Sequence, residues 1–194
     1  MKEFNQISDT QREHLLSMLM AGRLDMDSIP RRFTGVSYGD DQMQKMNIYL
    51  PEHGRGPFPV IFFIHGGGWQ SGSRNDTQVR PFLPGLEEGY AVICCGYRLM
   101  PDAHYPENLF DIKAALRFIK ANAEKYSLDA EKIALAGASA GGHLALMAAF
   151  TQGQPAFEGG DIQCAPKISA VIDQFGPTDF LSEESQYEES GYGR

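Results

Sequence analysis

Four short apolar runs, Val60 to Ile64, Tyr90 to Cys95, Ile133 to Ala136 and Ile168 to Ile172, constrain the fold of this chain more than any other feature. Each has the length of a strand buried on both faces. Between them lie segments with helical spacing: Val79 to Glu88, Leu109 to Glu124 and Gly142 to Phe150. In the middle segment Leu109, Ile112, Leu116 and Ile119 share one face, while Lys113, Arg117 and Lys120 share another. Strands alternating with helices predict an α/β fold, a mostly parallel sheet with helices on both faces. Open sheets of this kind bind ligands outside the carboxyl ends of their strands. A site is therefore expected in the loops after Ile64, Cys95, Ala136 and Ile172.

Upstream, Phe33 to Tyr38 and Met43 to Leu50 alternate around Gly39-Asp40-Asp41-Gln42, which predicts an antiparallel hairpin feeding the sheet. Ser8 to Leu24 carry Leu15, Leu16, Met18, Leu19 and Met20 in a helix-compatible pattern that breaks near Gly22. The expected organisation is an N-terminal helical segment over residues 1–32, contributing to a cap, and an α/β core over residues 33–194.

Charge and composition exclude several classes of function. The formal net charge is −8 and the chain has no basic run, so no nucleic-acid partner is expected. The N-terminus lacks a secretory signal, and no stretch approaches the roughly 18 apolar residues of a membrane span. Cys94, Cys95 and Cys164 form neither a disulfide framework nor a metal-ligand spacing, and a cytoplasmic location is expected. No metal or other cofactor is expected, since no phosphate-binding glycine pattern follows any strand.

Two glycine-rich loops carry the chemistry. Gly137-Ala138-Ser139-Ala140-Gly141 fits G-x-S-x-G between an apolar strand and a helix, where a strained turn pushes the serine hydroxyl out at the sheet edge. The plain alternative is Ser139 as the cap of that helix. The second loop, His65-Gly66-Gly67-Gly68-Trp69, follows the first long apolar run. A serine that transfers acyl groups needs bare N–H donors where the tetrahedral intermediate carries its negative oxygen, each worth roughly 3 kcal/mol of barrier. Side chains would block that approach, so glycines suit the position. Gly67 and Gly68 are the expected donors, joined by the N–H of Ala140. His65 is expected to brace the loop through hydrogen bonds, and Trp69 either packs locally or walls the substrate pocket.

With those residues in place, the chain resembles the α/β-hydrolase superfamily, in the branch of esterases and lipases similar to hormone-sensitive lipase. The resemblance is carried by "HGGGW", by "YRLMPDAHYPENLFDIKAALRFI" from Tyr97 to Ile119 and by "GASAGGHLAL" from Gly137 to Leu146. It spans about Phe33 to Phe180, and within the branch it is similar to small bacterial carboxylesterases, including those acting on acetyl or feruloyl groups of plant polysaccharides. It implies a serine hydrolase that forms an acyl-enzyme on Ser139 from small-molecule, short-chain acyl esters. Tyr97, Arg98, Leu99, Pro106 and Asp111 fall in a segment that braces the active-site loops.

The resemblance also implies an acid and a histidine following the serine on later loops. Only His143 follows Ser139 among the five histidines, and one turn into the helix its expected task is packing or hydrogen bonding. Asp173 and Asp179 are expected to cap turns. The sequence therefore reads as a core whose last strands are missing together with the triad acid and base, nearly inactive alone. It would self-associate through the uncovered edge at Ile168 to Ile172. Two alternatives stay open: a non-catalytic module that binds small esters or a partner, and an amidase resembling the formamidases of this branch.

Overall fold

The structure is a computed structural model that describes residues 26–161 and 166–181. The chain divides into two compact units, Met1–Pro30 and Arg31–Arg194. In the first, the described residues form one 3₁₀ turn, Met26–Ser28. The helix expected between Ser8 and Leu24 lies outside the described residues, as does Cys164.

The described residues of the second unit build one sheet from β1 (Arg32–Ser37), β2 (Lys45–Tyr49), β3 (Phe58–Ile64), β4 (Ala91–Cys95), β5 (Leu128–Ala138) and β6 (Ile168–Gln174). The spatial order is β1-β2-β4-β3-β5-β6. β1 and β2 form the expected antiparallel hairpin, β2 pairs antiparallel with β4, and β4, β3, β5 and β6 run parallel. Helices α1 (Glu107–Ala121), α2 (Ala140–Phe150) and the short α3 (Pro155–Glu158) complete the unit.

The period of two along β3 decides which element lies where. Val60, Phe62 and Ile64 join Leu109, Ile112, Leu116 and Ile119 of α1 and Leu144, Ala145 and Ala148 of α2 in one buried cluster. Phe63 points the other way and meets Phe82, their ring centroids 5.4 Å apart. Phe62 and Phe63 are both essentially inaccessible, and burying each contributes on the order of 2 kcal/mol.

The segment covering that second face is not the α-helix expected over Val79 to Glu88. It is 3₁₀ over Thr77–Leu86, with Pro81 and Pro84 inside it. Each proline removes an N–H and crowds the preceding turn, so a regular α-helix cannot run through both. Val79, Phe82, Leu83 and Leu86 are still buried, which is why the apolar spacing looked helical.

Burial also departs from expectation at both sides of the sheet. β2 is buried on both faces although its sequence alternates: Met46 and Ile48 join the core cluster, and Asn47 on the other face donates to Asn75 Oδ1 at 2.8 Å. β6 is largely exposed although Ile168, Ala170, Val171 and Ile172 make it mostly apolar, and Ile172 is 42% accessible. Among the described residues β6 pairs on one side only.

Lys113 is not on a solvated face of α1. It is 4% exposed, and its Nζ lies 2.8 Å from Glu158 Oε1 and donates to the Thr151 carbonyl at 2.9 Å. Arg117 donates to the Glu158 carbonyl at 2.9 Å, so the end of α2 and all of α3 are tied to α1 through polar groups.

Candidate functional site

Register brings the two glycine-rich loops together. Ile64 on β3 stands opposite Gly137 on β5, and Gly137 stands opposite Asp173 on β6. The turns that follow these strands therefore leave the same end of the sheet side by side.

Ser139 occupies the turn from β5 into α2 with φ 52° and ψ −122°. A side chain at positive φ is strained, by on the order of 1 kcal/mol or more. Its hydroxyl makes no capping hydrogen bond to the helix, which removes the plain N-cap alternative. The Ser139 N–H is held by the Gln174 carbonyl at 2.8 Å, and its carbonyl accepts from His143 N at 3.1 Å. The residue is half-buried.

The neighbouring glycines leave no room for side chains. A Cβ on Gly137 would overlap the Gly141 carbonyl, and one on Gly142 would overlap the Asp173 carboxylate. A Cβ on Gly66 would stand 2.6 Å from the Ala138 oxygen and 3.2 Å from Ser139 Cβ. The loop after β3 is thus pressed against the serine turn. Gly67, Gly68 and Trp69 follow with φ of 120°, 61° and 59°. Two of these three successive positions are glycine, the residue that adopts such angles without steric cost. Among the described residues neither the Gly67 nor the Gly68 N–H donates a hydrogen bond. The N–H of Ala140, first residue of α2, has no acceptor within its own helix.

His65 behaves as the expected brace. Its Nδ1 lies 2.8 Å from the Gly66 carbonyl, an acceptor only, so Nδ1 carries the proton. The ring stacks on Tyr97 with centroids 4.5 Å apart, and the Tyr97 hydroxyl donates to the His65 carbonyl at 3.0 Å. Burial pushes the His65 pKa down, opposed by the hydrogen bond to Gly66 and by Asp76. The imidazole is therefore neutral near pH 7.

The segment from Tyr97 to Asp111 braces the same region. Asp111 is buried and takes Arg98 Nε at 2.9 Å, Arg98 NH2 at 2.7 Å and the Arg98 backbone N–H at 2.9 Å. Gln44 Nε2 adds a further bond at 2.7 Å, so the hairpin, the loop after β4 and α1 converge on one carboxylate. The sequence offered no signal for Gln44.

Trp69 lines an apolar cavity of about 400 Å³ with Met100, Tyr105, His143, Met147 and Phe180. Its ring meets His143 edge-on at 5.4 Å, and His143 meets Phe180 at 5.2 Å. Burial lowers the His143 pKa and Asp173 opposes that shift. Among the described residues no histidine is hydrogen-bonded to the Ser139 hydroxyl. Asp173 accepts from Gly176 N at 2.9 Å and Asp179 from Leu181 N at 3.0 Å, the turn-capping roles expected of both.

A mixed sheet with this strand order, a strained serine after β5 and a glycine loop after β3 defines the α/β-hydrolase class. Solved structures agree. A bifunctional GH43-CE protein of Bacteroides eggerthii superposes with a TM-score of 0.71 at 35% identity, covering 79% of this chain and 22% of that one. A bacterial heroin esterase superposes with a TM-score of 0.61 at 27% identity, covering 88% and 52%. Within that class the chain belongs to the BD-FAE family, whose model matches residues 46–192. Esterase LipC of Mycobacterium tuberculosis is 32% identical over 154 residues, which are 75% of this chain and 36% of the relative. The chain spans about a third of the length of the curated relatives it matches, 29% to 36% of the first three. No helix among the described residues is long and apolar enough to cross a membrane.

Proposed function

We propose that the chain carries the acyl-transfer machinery of a serine carboxylesterase. The observation that carries this reading is Ser139, held at φ 52° with no capping hydrogen bond from its hydroxyl, beside a glycine loop in which the Gly67 and Gly68 N–H groups find no acceptor among the described residues. In this reading Ser139 Oγ attacks the carbonyl carbon of a small ester. The hydroxyl proton passes to a base supplied from outside the described residues, and the carbonyl oxygen becomes an oxyanion held by the N–H groups of Gly67, Gly68 and Ala140. As that intermediate collapses, the base gives its proton to the departing alkoxy oxygen, the alcohol leaves, and water hydrolyses the acyl-enzyme to the carboxylic acid and free Ser139.

The cavity beside Trp69 is lined mostly by apolar and aromatic side chains, with Asn108 and His143 as its polar members, which favours a short acyl or alkyl group there. Esterase names among the relatives support the same bond class. The free, buried thiols of Cys94 and Cys95 fit a reducing compartment, and we place the protein in the cytoplasm. The side of β6 that pairs with no strand among the described residues is our choice for a self-association surface.

Hydrolysis of p-nitrophenyl acetate by the protein expressed from its natural gene tests the reading. Activity should vanish with Ser139→Ala, and activity that survives this change would end it. N-formyl amides assayed in parallel separate ester from amide chemistry. Binding of esters without turnover would instead mark a non-catalytic module.

A further inference from the structure

Gln78 lies in the first turn of the 3₁₀ segment Thr77–Leu86, twelve positions beyond the glycine loop in sequence, yet its Oε1 accepts the Gly66 N–H at 2.9 Å. Its own backbone is fixed in turn, because the Gln78 N–H donates to the Asp76 carboxylate at 3.0 Å. We propose that Gln78 is a positioning residue for the oxyanion-binding loop, setting the peptide frame from which the Gly67 and Gly68 N–H groups face Ser139. This rests on the serine-esterase reading above.

The argument follows from peptide geometry. Gly66 has both backbone polar groups tied: its N–H to Gln78 and its carbonyl to His65 Nδ1. Because each peptide unit is planar and trans, these two bonds fix two successive planes, and the second carries the Gly67 N–H. Gly66 cannot be held by a side chain of its own, since a Cβ would stand 2.6 Å from the Ala138 oxygen and 3.0 Å from Gln78 Oε1. A glycine rotates more freely than any other residue, so removing the Gln78 acceptor frees the unit that needs restraint most.

The rest of the loop is closed from the far side, where the Gly67 carbonyl accepts from Gln70 N, Ser71 N and Ser71 Oγ. Those bonds hold the carbonyl of Gly67 and leave its N–H to be aimed by Gly66. Gln78 touches neither the serine nor the cavity-lining residues by any hydrogen bond, so its effect belongs to the transition state and not to substrate binding.

Gln78→Met keeps the length of the side chain and deletes the oxygen. In p-nitrophenyl acetate hydrolysis by the natural protein, we expect kcat to fall about tenfold or more with KM within about twofold, less than the loss of a direct donor. On 15N-glycine-labelled protein, the Gly66 amide should exchange about tenfold faster or more in the variant. This second measurement needs no turnover. An unchanged kcat in a protein that Ser139→Ala silences would overturn the role of Gln78, as would a loss confined to KM or an unprotected Gly66 amide in the wild type. Survival of activity in Ser139→Ala would instead refute the serine reading while leaving the exchange result to stand on its own.

Discussion

The backbone of Gly141 passes against the carbonyl end of β3: a Cβ there would overlap the Ile64 oxygen and stand 2.5 Å from the His65 oxygen. Helix α2 therefore starts directly over the strand that delivers the glycine loop. Neither side of that contact is a movable side chain. Gly141→Ala should destabilise the protein by about 3 kcal/mol, read as a lowered urea midpoint with an unchanged m-value. A midpoint equal to wild type would mean that the two backbones are not in register contact.

Under the proposed serine-esterase reading, stability and activity should part at Ser139. Its φ of 52° is a conformation that glycine adopts without steric cost. Ser139→Gly should therefore gain about 1 kcal/mol of stability while abolishing ester hydrolysis. Thermal melting and p-nitrophenyl acetate turnover on the same preparation check both halves, and a loss of stability would remove the strain argument.

The Lys113–Glu158 pair is enclosed, with side chains 4% and 2% exposed. Lys113→Met leaves the Glu158 carboxylate with the Gly153 N–H and the more distant Arg117, 3.8 Å away, and should cost about 3 kcal/mol. Adding Glu158→Gln should recover part of that loss, because the enclosed carboxylate loses its charge while Arg117 gives up only a 3.8 Å contact. Chemical denaturation of both single variants and the double variant reads the coupling directly.

His65 sets a pH dependence whose sign is determined by burial. Its folded pKa lies below the ordinary histidine value of about 6.5, so the folded protein refuses a proton that the unfolded chain accepts. Stability should be fully present above about pH 6.5 and should fall as pH drops through that value toward the lowered folded one. Burial lowers the His143 pKa as well, so His143 adds an effect of the same sign. Urea unfolding between pH 5 and 8 should show this slope, and His65→Gln should flatten it.

The outer side of β6 predicts association. Ile172 is 42% accessible and the strand pairs only with β5 among the described residues. Sedimentation of the 194-residue polypeptide should show concentration-dependent self-association, and Ile172→Lys should suppress it. A monomer at all concentrations would exclude this edge as the interface.

Local chemistry in the chain was enough to specify the parallel sheet, the hairpin ahead of it, the serine turn and the glycine loop. Continuous apolar runs, helical spacing and consecutive glycines act over a few residues, and each survives wherever the rest of the fold goes. Gln78, Gln44 and Glu158 carried no such mark. Their roles arise because Gln78 Oε1 meets Gly66, Gln44 meets Asp111 and Glu158 meets Lys113 across 12, 67 and 45 positions of sequence. The two prolines that turn Thr77–Leu86 into a 3₁₀ segment were visible, but the apolar spacing around them matched a helix, and packing against Phe63 preserved that burial without the helix. Which apolar strand is enclosed and which is exposed among the described residues depended on what packs over its two faces, which the strand's own composition does not encode.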